Sequence, residues 1–168
     1  TAVYDMRVEG DAAAAALRFS AWQQQVRELA WIVDAAALEA ELDNALRYAP
    51  HVVRTQEPQP ATLTVLAEGR ASSTREELGV AFDTHDYGQR AIAARLESSE
   101  PHGGLARQWF RAPDVLALLP TDKPRPGHGL ALVWSLPAER ADAMLALSDQ
   151  AFEAELMSVT GGAAGTLR

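Results

Sequence analysis

The chain has 168 residues, 48% of them hydrophobic, enough to bury one core or a compact pair of cores. A formal net charge of −8 with no block of like charges argues against nucleic acid as a partner and reads as a solvated acidic surface. With no cysteine there are no disulfides and no thiolate chemistry, which suits a cytoplasmic protein, and no apolar run approaches the roughly 18 residues of a spanning helix.

In chain order, Thr1 to Val8 alternates loosely and predicts a strand, and Ala16 to Ala21 predicts another. Gly10-Asp11 and the alanine run after it would join the two as a hairpin. From Asp34 the period changes. Leu38, Leu42 and Leu46 recur every four residues among acidic ones, which predicts a helix capped by Asp34 and stopped at Ala49-Pro50. His51 to Thr55 is expected as a short strand. Pro58 and Pro60 then break the chain, and the β-branched run Ala61 to Ala67 predicts another strand. Ser73 and Glu76 have the spacing of a capping box, so a short helix should run to Leu78 and close at Gly79.

After residue 80 the texture shifts to runs of strands. Ala91–Glu97, Leu105–Phe110, Val115–Pro120 and Gly129–Leu136 read as four strands separated by turn chemistry. A helix should follow Pro137. Another should run from Ser148 to about Val159 with Phe152, Leu156 and Val159 on one stripe, ended by Gly161-Gly162. Strands in runs followed by helices in runs indicate an α+β fold, with the first two strands joining the later sheet.

Among local features, Glu68-Gly69-Arg70-Ala71-Ser72-Ser73-Thr74-Arg75 carries the most information. A glycine turn leading into a helix start offers free amides, while Ser72 and Arg75 add a hydroxyl and a fixed positive charge. Residue chemistry leaves two readings open here, a phosphate cradle or an ordinary capped turn. His51, His85, His102 and His128 are scattered without metal-ligand spacing, so no metal site is expected. No Gly-x-Ser-x-Gly elbow occurs, and no acidic pair stands out as acid and base. Trp22, Trp31, Trp109 and Trp134 read as core or cavity wall.

The octet from Glu68 to Arg75, together with segments nearer the C-terminus, resembles the flavin-dependent monooxygenases of ubiquinone biosynthesis, within the larger p-hydroxybenzoate hydroxylase-like group. The octet matches that group's Asp-Gly-x-x-Ser-x-x-Arg fingerprint at Gly69, Ser72 and Arg75, with Glu68 in place of the usual Asp. Asp86-Tyr87-Gly88-Gln89-Arg90-Ala91-Ile92 and the stretch from Pro101 to Phe110 resemble the ubiquinone branch, as do Leu116 to Pro120 and Leu132 to Pro137. The helix from Asp34 also fits the family, though small residues at Ala35 and Ala36 stand where a basic one is frequent.

The resemblance implies FAD and NAD(P)H as cofactors, dioxygen as oxidant, and hydroxylation of a prenylated phenol or quinol ring. It implies cofactor-side roles for Glu68, Gly69, Ser72 and Arg75. The family's Gly-x-Gly-x-x-Gly run and its closing Gly-Asp motif do not occur here, so we read an internal fragment that binds FAD weakly or not at all and is inactive alone. Residues 1–30 and 83–168 would form a mostly antiparallel substrate-side sheet with packed helices, and 31–82 a remnant of an α/β FAD-binding domain. Expected partners are the prenylated substrate, the inner membrane surface or other ubiquinone-biosynthesis proteins, and further copies of the chain. The flavin carries the chemistry, so no catalytic acid or base is assigned.

A turn at Arg111–Asp114 would set Phe110 opposite Val115 and Gln108 opposite Ala117. Alternation then puts Ala106, Gln108, Phe110, Ala117 and Leu119 on one face and Arg107, Trp109, Leu116 and Leu118 on the other. Gln108, Phe110, Ala117 and Leu119 are the expected substrate wall, one amide among apolar groups. Otherwise this face is core beneath the two C-terminal helices. The rival functions are hydroxylation of another small aromatic and a stand-alone module that binds an apolar or aromatic ligand without catalysis.

Overall fold

The computed structural model describes residues 1–12 and 16–168. Its elements in order are β1 (Ala2–Val3), β2 (Asp5–Glu9), β3 (Ala16–Ser20), β4 (Ala30–Trp31), α1 (Ala35–Arg47) and α2 (Ser73–Glu77). Then come β5 (Gln89–Glu97), β6 (Leu105–Arg111), β7 (Asp114–Thr121), β8 (Gly129–Pro137), α3 (Ala138–Leu145) and α4 (Asp149–Thr160). The fold is α+β, with a mixed six-stranded sheet in the order β3-β2-β6-β7-β8-β5 and a two-stranded antiparallel sheet of β1 and β4. Two compact units divide the chain, Thr1–Ala35 with Gly88–Arg168, and Ala36–Tyr87.

In the first unit, β5 to β8 form where alternation predicts them. The first predicted strand is two, broken at Tyr4, whose N–H instead donates to the Gly104 carbonyl at 2.9 Å. β2 and β3 pair antiparallel as a hairpin should, although Ala13 to Ala15 of the expected alanine connection lie outside the described residues. β2 also pairs parallel with β6, and that non-local ladder brings the hairpin into the main sheet.

Register fixes two faces. On one, Ile92, Leu96, Trp109, Leu116, Leu118, Leu130, Leu132, Trp134 and Leu136 form a single core with Ala141 and Met144 of α3 and Leu156 of α4. Each fully buried leucine here contributes roughly 1.5–3 kcal/mol. Phe152 meets Trp134 edge-on at 6.2 Å between ring centroids, so the predicted α4 stripe is the one that packs. Ser148 caps α4 by accepting the Ala151 N–H, and Gly161 closes it in the left-handed region.

His102 anchors the turn before β6. Its Nδ1 accepts the Gly104 N–H at 3.0 Å, and Gly104 has φ +72° with a would-be Cβ only 2.6 Å from Tyr4 Cδ2, so glycine is required there. Burial lowers the His102 pKa below its ordinary 6.5, against a backbone hydrogen bond at Thr121 that raises it. Between the lowered folded value and 6.5 the unfolded chain binds more protons than the folded one. His102 therefore leaves stability at its full value above about pH 6.5 and erodes it as pH falls through the folded value. Thermal unfolding across this window should show Tm falling on acidification, and His102→Gln should flatten that slope.

The second unit departs most from expectation. α1 forms over the predicted span, but Leu38, Leu42 and Leu46 stay exposed and the helix buries no residue. Arg54 and Arg47 pair with Asp43 and hold its carboxyl below the usual range. Neither His51–Thr55 nor Ala61–Ala67 is a strand. A strand persists only where its backbone groups find a neighbouring ladder, and the described residues of this unit provide none. β-branched composition alone did not suffice.

Candidate functional site

Residues 68–75 fold on themselves. Ser72, not Ser73, caps α2 by accepting the Arg75 N–H at 3.1 Å, so the cap lies one residue earlier than the capping-box spacing suggests. The Glu68 carboxylate accepts the Ser72 hydroxyl at 2.5 Å and the Thr74 hydroxyl at 2.7 Å. Those two hydroxyls hold the Glu68 carboxyl below the ordinary carboxylate range. Gly69 has φ +81°, and open space surrounds the position a Cβ would take. No strand leads into it, only irregular chain.

Arg75 donates to the Arg70 carbonyl at 3.0 Å and lies over the Phe82 ring, 4.1 Å from its centroid. The Ser72 hydroxyl is thus engaged within the loop, and Arg75 is engaged through one N–H and its ring contact while its buried Nε has no partner among the described residues. An ionised carboxylate lies beside them. Glu68, the departure from the fingerprint, is the residue that ties the turn together.

In the first unit, the predicted register of β6 and β7 holds, with Gln108 opposite Ala117 and Phe110 opposite Val115. Gln108, Phe110, Ala117 and Leu119 share one sheet face, and α3 and α4 pack on the other. The face is therefore not core beneath the C-terminal helices. Phe110 is 44% exposed, Gln108 and Leu119 are half-buried, and Ala117 is buried between larger neighbours. No protein group among the described residues holds the Gln108 amide by a hydrogen bond.

Sequence reasoning missed part of this face. Val133 on β8 lies opposite Ala117, and Val8 on β2 lies beside Gln108. Alternation along β8 contains the signal for Val133. Val8 could be placed only once β2 was known to run parallel to β6. Arg95 of β5 points to the same face by register and binds Asp34 at 2.6 Å, which bounds one end. What results is a largely apolar face on which the Gln108 amide has no protein partner among the described residues.

A separate apolar cleft of about 320 Å³ lies among β5, α3, α4 and the C-terminal segment, walled by Met144, Leu145, Phe152, Leu156 and Leu167. The described residues contain no group of three or more His, Asp or Glu placed to hold a metal ion. No described helix is long and apolar enough to cross a membrane.

No family model matches the chain. Among curated proteins, ubiquinone hydroxylase UbiL of Rhodospirillum rubrum is 36% identical over 108 residues, 64% of this chain and 24% of that protein. Ubiquinone hydroxylase UbiM of Neisseria meningitidis is 25% identical over 107 residues, 64% of this chain and 22% of that protein. The match thus spans about a quarter of the length of these relatives. Over nearly two thirds of its length the chain is related to the ubiquinone hydroxylases, the family to which the motifs between Glu68 and Pro137 point.

Proposed function

We propose that this chain supplies the substrate side of a ring hydroxylase acting on a prenylated phenol or quinol in ubiquinone biosynthesis. The observation that carries the reading is the sheet face opposite α3 and α4, where the Gln108 amide, without a protein partner among the described residues, stands among Phe110, Ala117, Leu119 and Val133. An aromatic ring lying on this floor loses water from one side and meets Phe110 at its edge. The amide offers two N–H donors and a carbonyl acceptor, any one of which can meet the ring hydroxyl and choose which edge faces inward. Family resemblance supplies the oxidising chemistry, FAD reduced by NAD(P)H and reacting with dioxygen, as a property of a whole protein of this kind. Partners under this reading include the membrane surface where prenylated substrates reside.

The loop at 68–75 fits poorly as a phosphate holder, because the Ser72 hydroxyl is bonded to Glu68, one Arg75 N–H is spent on the Arg70 carbonyl and Glu68 is anionic. We assign Glu68, Gly69, Ser72 and Arg75 to shaping a turn that borders the cofactor, with Gly69 as its open point. The purified chain should accordingly retain no stoichiometric flavin after desalting, checked by visible absorption. Titration of a short-chain prenylated phenol into the ¹⁵N-labelled chain tests the substrate face. Amide shifts should centre on Gln108, Phe110, Ala117 and Leu119. Shifts centred on Leu145, Phe152 and Leu156 would move the ligand to the cleft beside α4 and end this reading.

A further inference from the structure

The helix-side face of the sheet carries a second feature near its β3 edge. Register places Arg18, Arg7 and Arg107 directly opposite one another on β3, β2 and β6. Neighbouring strands lie about 4.8 Å apart, so three guanidinium-bearing side chains leave one face in a row. Like charges directly opposite each other destabilise a sheet. In a chain of net charge −8, such a row is not a by-product of a basic composition.

The protein neutralises little of it. Glu9 lies 2.8 Å from Arg7 Nε, but it is shared with Arg111 at 3.7 Å. Arg107 is half-buried and donates to the Ala163 carbonyl at 3.2 Å, and burial together with Arg7 lowers its pKa. Arg18 is exposed and has no carboxylate partner among the described residues. A cleft of about 420 Å³ opens beside Arg7 and Arg18, where Ser20 and Gln23 add a hydroxyl and an amide and Asp5 is the acidic member of the wall.

We propose that the Arg18–Arg7–Arg107 row is a binding site for a phosphate-bearing ligand. Planar guanidinium forks match the oxygens of a phosphate, and paired charge-assisted hydrogen bonds to them are among the strongest available at a surface. The ligand's charge would also reduce the cross-strand repulsion that Glu9 relieves only in part. A soluble phosphate ester and a phospholipid headgroup offer the same chemistry. This site is independent of the ring-hydroxylation reading, since it lies on the opposite face of the sheet.

Calorimetric titration with inorganic pyrophosphate at low ionic strength, where screening is weakest, tests the proposal. Saturable binding should weaken at least tenfold in Arg18→Gln and in Arg107→Gln. Arg27→Gln, which removes the same charge from the neighbouring turn, should change it less than twofold. Without pyrophosphate, Arg18→Gln should melt no lower than the parent chain, which separates lost binding from lost folding. Sedimentation with phosphatidylglycerol vesicles, compared with phosphatidylcholine vesicles, distinguishes the sources. Co-sedimentation with the anionic vesicles that Arg18→Gln abolishes assigns a lipid headgroup, and pyrophosphate binding without it assigns a soluble ligand. Neither probe binding, or Arg27→Gln weakening binding as much as Arg18→Gln, overturns the site.

Discussion

Replacing Trp134 by alanine is expected to destabilise the first unit by about 3–5 kcal/mol, the range for removing a large buried aromatic. Trp134 is fully buried at the centre of β8, where it lies opposite Leu116 on one side and Ile92 on the other, with Phe152 of α4 edge-on above it. Its loss removes the floor on which α4 rests as well as its own apolar surface. The indole N–H finds no acceptor among the described residues, so the ring's contribution is packing and not a hydrogen bond. Trp134→Phe should therefore cost much less, below about 1.5 kcal/mol, because it keeps an aromatic body and discards an unpaired donor. Chemical denaturation of both variants separates the two contributions. Equal losses would mean that the nitrogen, not the packing, matters.

The parts of this molecule legible in its sequence are those whose stability is local. β5 to β8 are strands read from apolar runs bounded by turns, although β7 buries Leu116, Ala117 and Leu118 in succession, and the two-residue turn at Ala112-Pro113 fixes the β6–β7 register that orients Gln108 and Phe110. α4 announced itself through Ser148 and Gly161. What stayed hidden depends on partners distant in the chain. β4 is two residues long and exists through pairing with β1, and the parallel β2–β6 ladder joins residues about a hundred positions apart. Ala61–Ala67 shows the converse, a composition suited to a strand with no ladder to enter.

At 68–75 the glycine turn and the helix start were legible, while the strand expected to lead into them is absent. Which donors remain free there is decided by side-chain geometry that spacing does not encode, above all the two hydroxyls that converge on Glu68. Likewise the arginine row is invisible along the chain, because Arg7, Arg18 and Arg107 become neighbours only through two registers at once.

Filling the floor of the open face should abolish binding of an aromatic ligand without unfolding the sheet. Ala117 sits centrally on that floor, opposite Gln108 on β6 and Val133 on β8, on the face away from α3 and α4. The phenyl of Ala117→Phe would occupy the place proposed for the ring, so affinity for a prenylated phenol should fall at least tenfold while circular dichroism shows the sheet still folded. Gln108→Leu asks a finer question. It keeps the apolar floor and removes one neutral hydrogen bond, worth about 0.5–1.5 kcal/mol. Affinity for the phenol should drop roughly twofold to tenfold, while the matching prenylated benzene without a hydroxyl should bind Gln108→Leu at least as well as the parent chain. That split is specific to an orienting amide. If both ligands lose affinity equally in Gln108→Leu, the amide shapes the sheet and does not choose the ring's orientation.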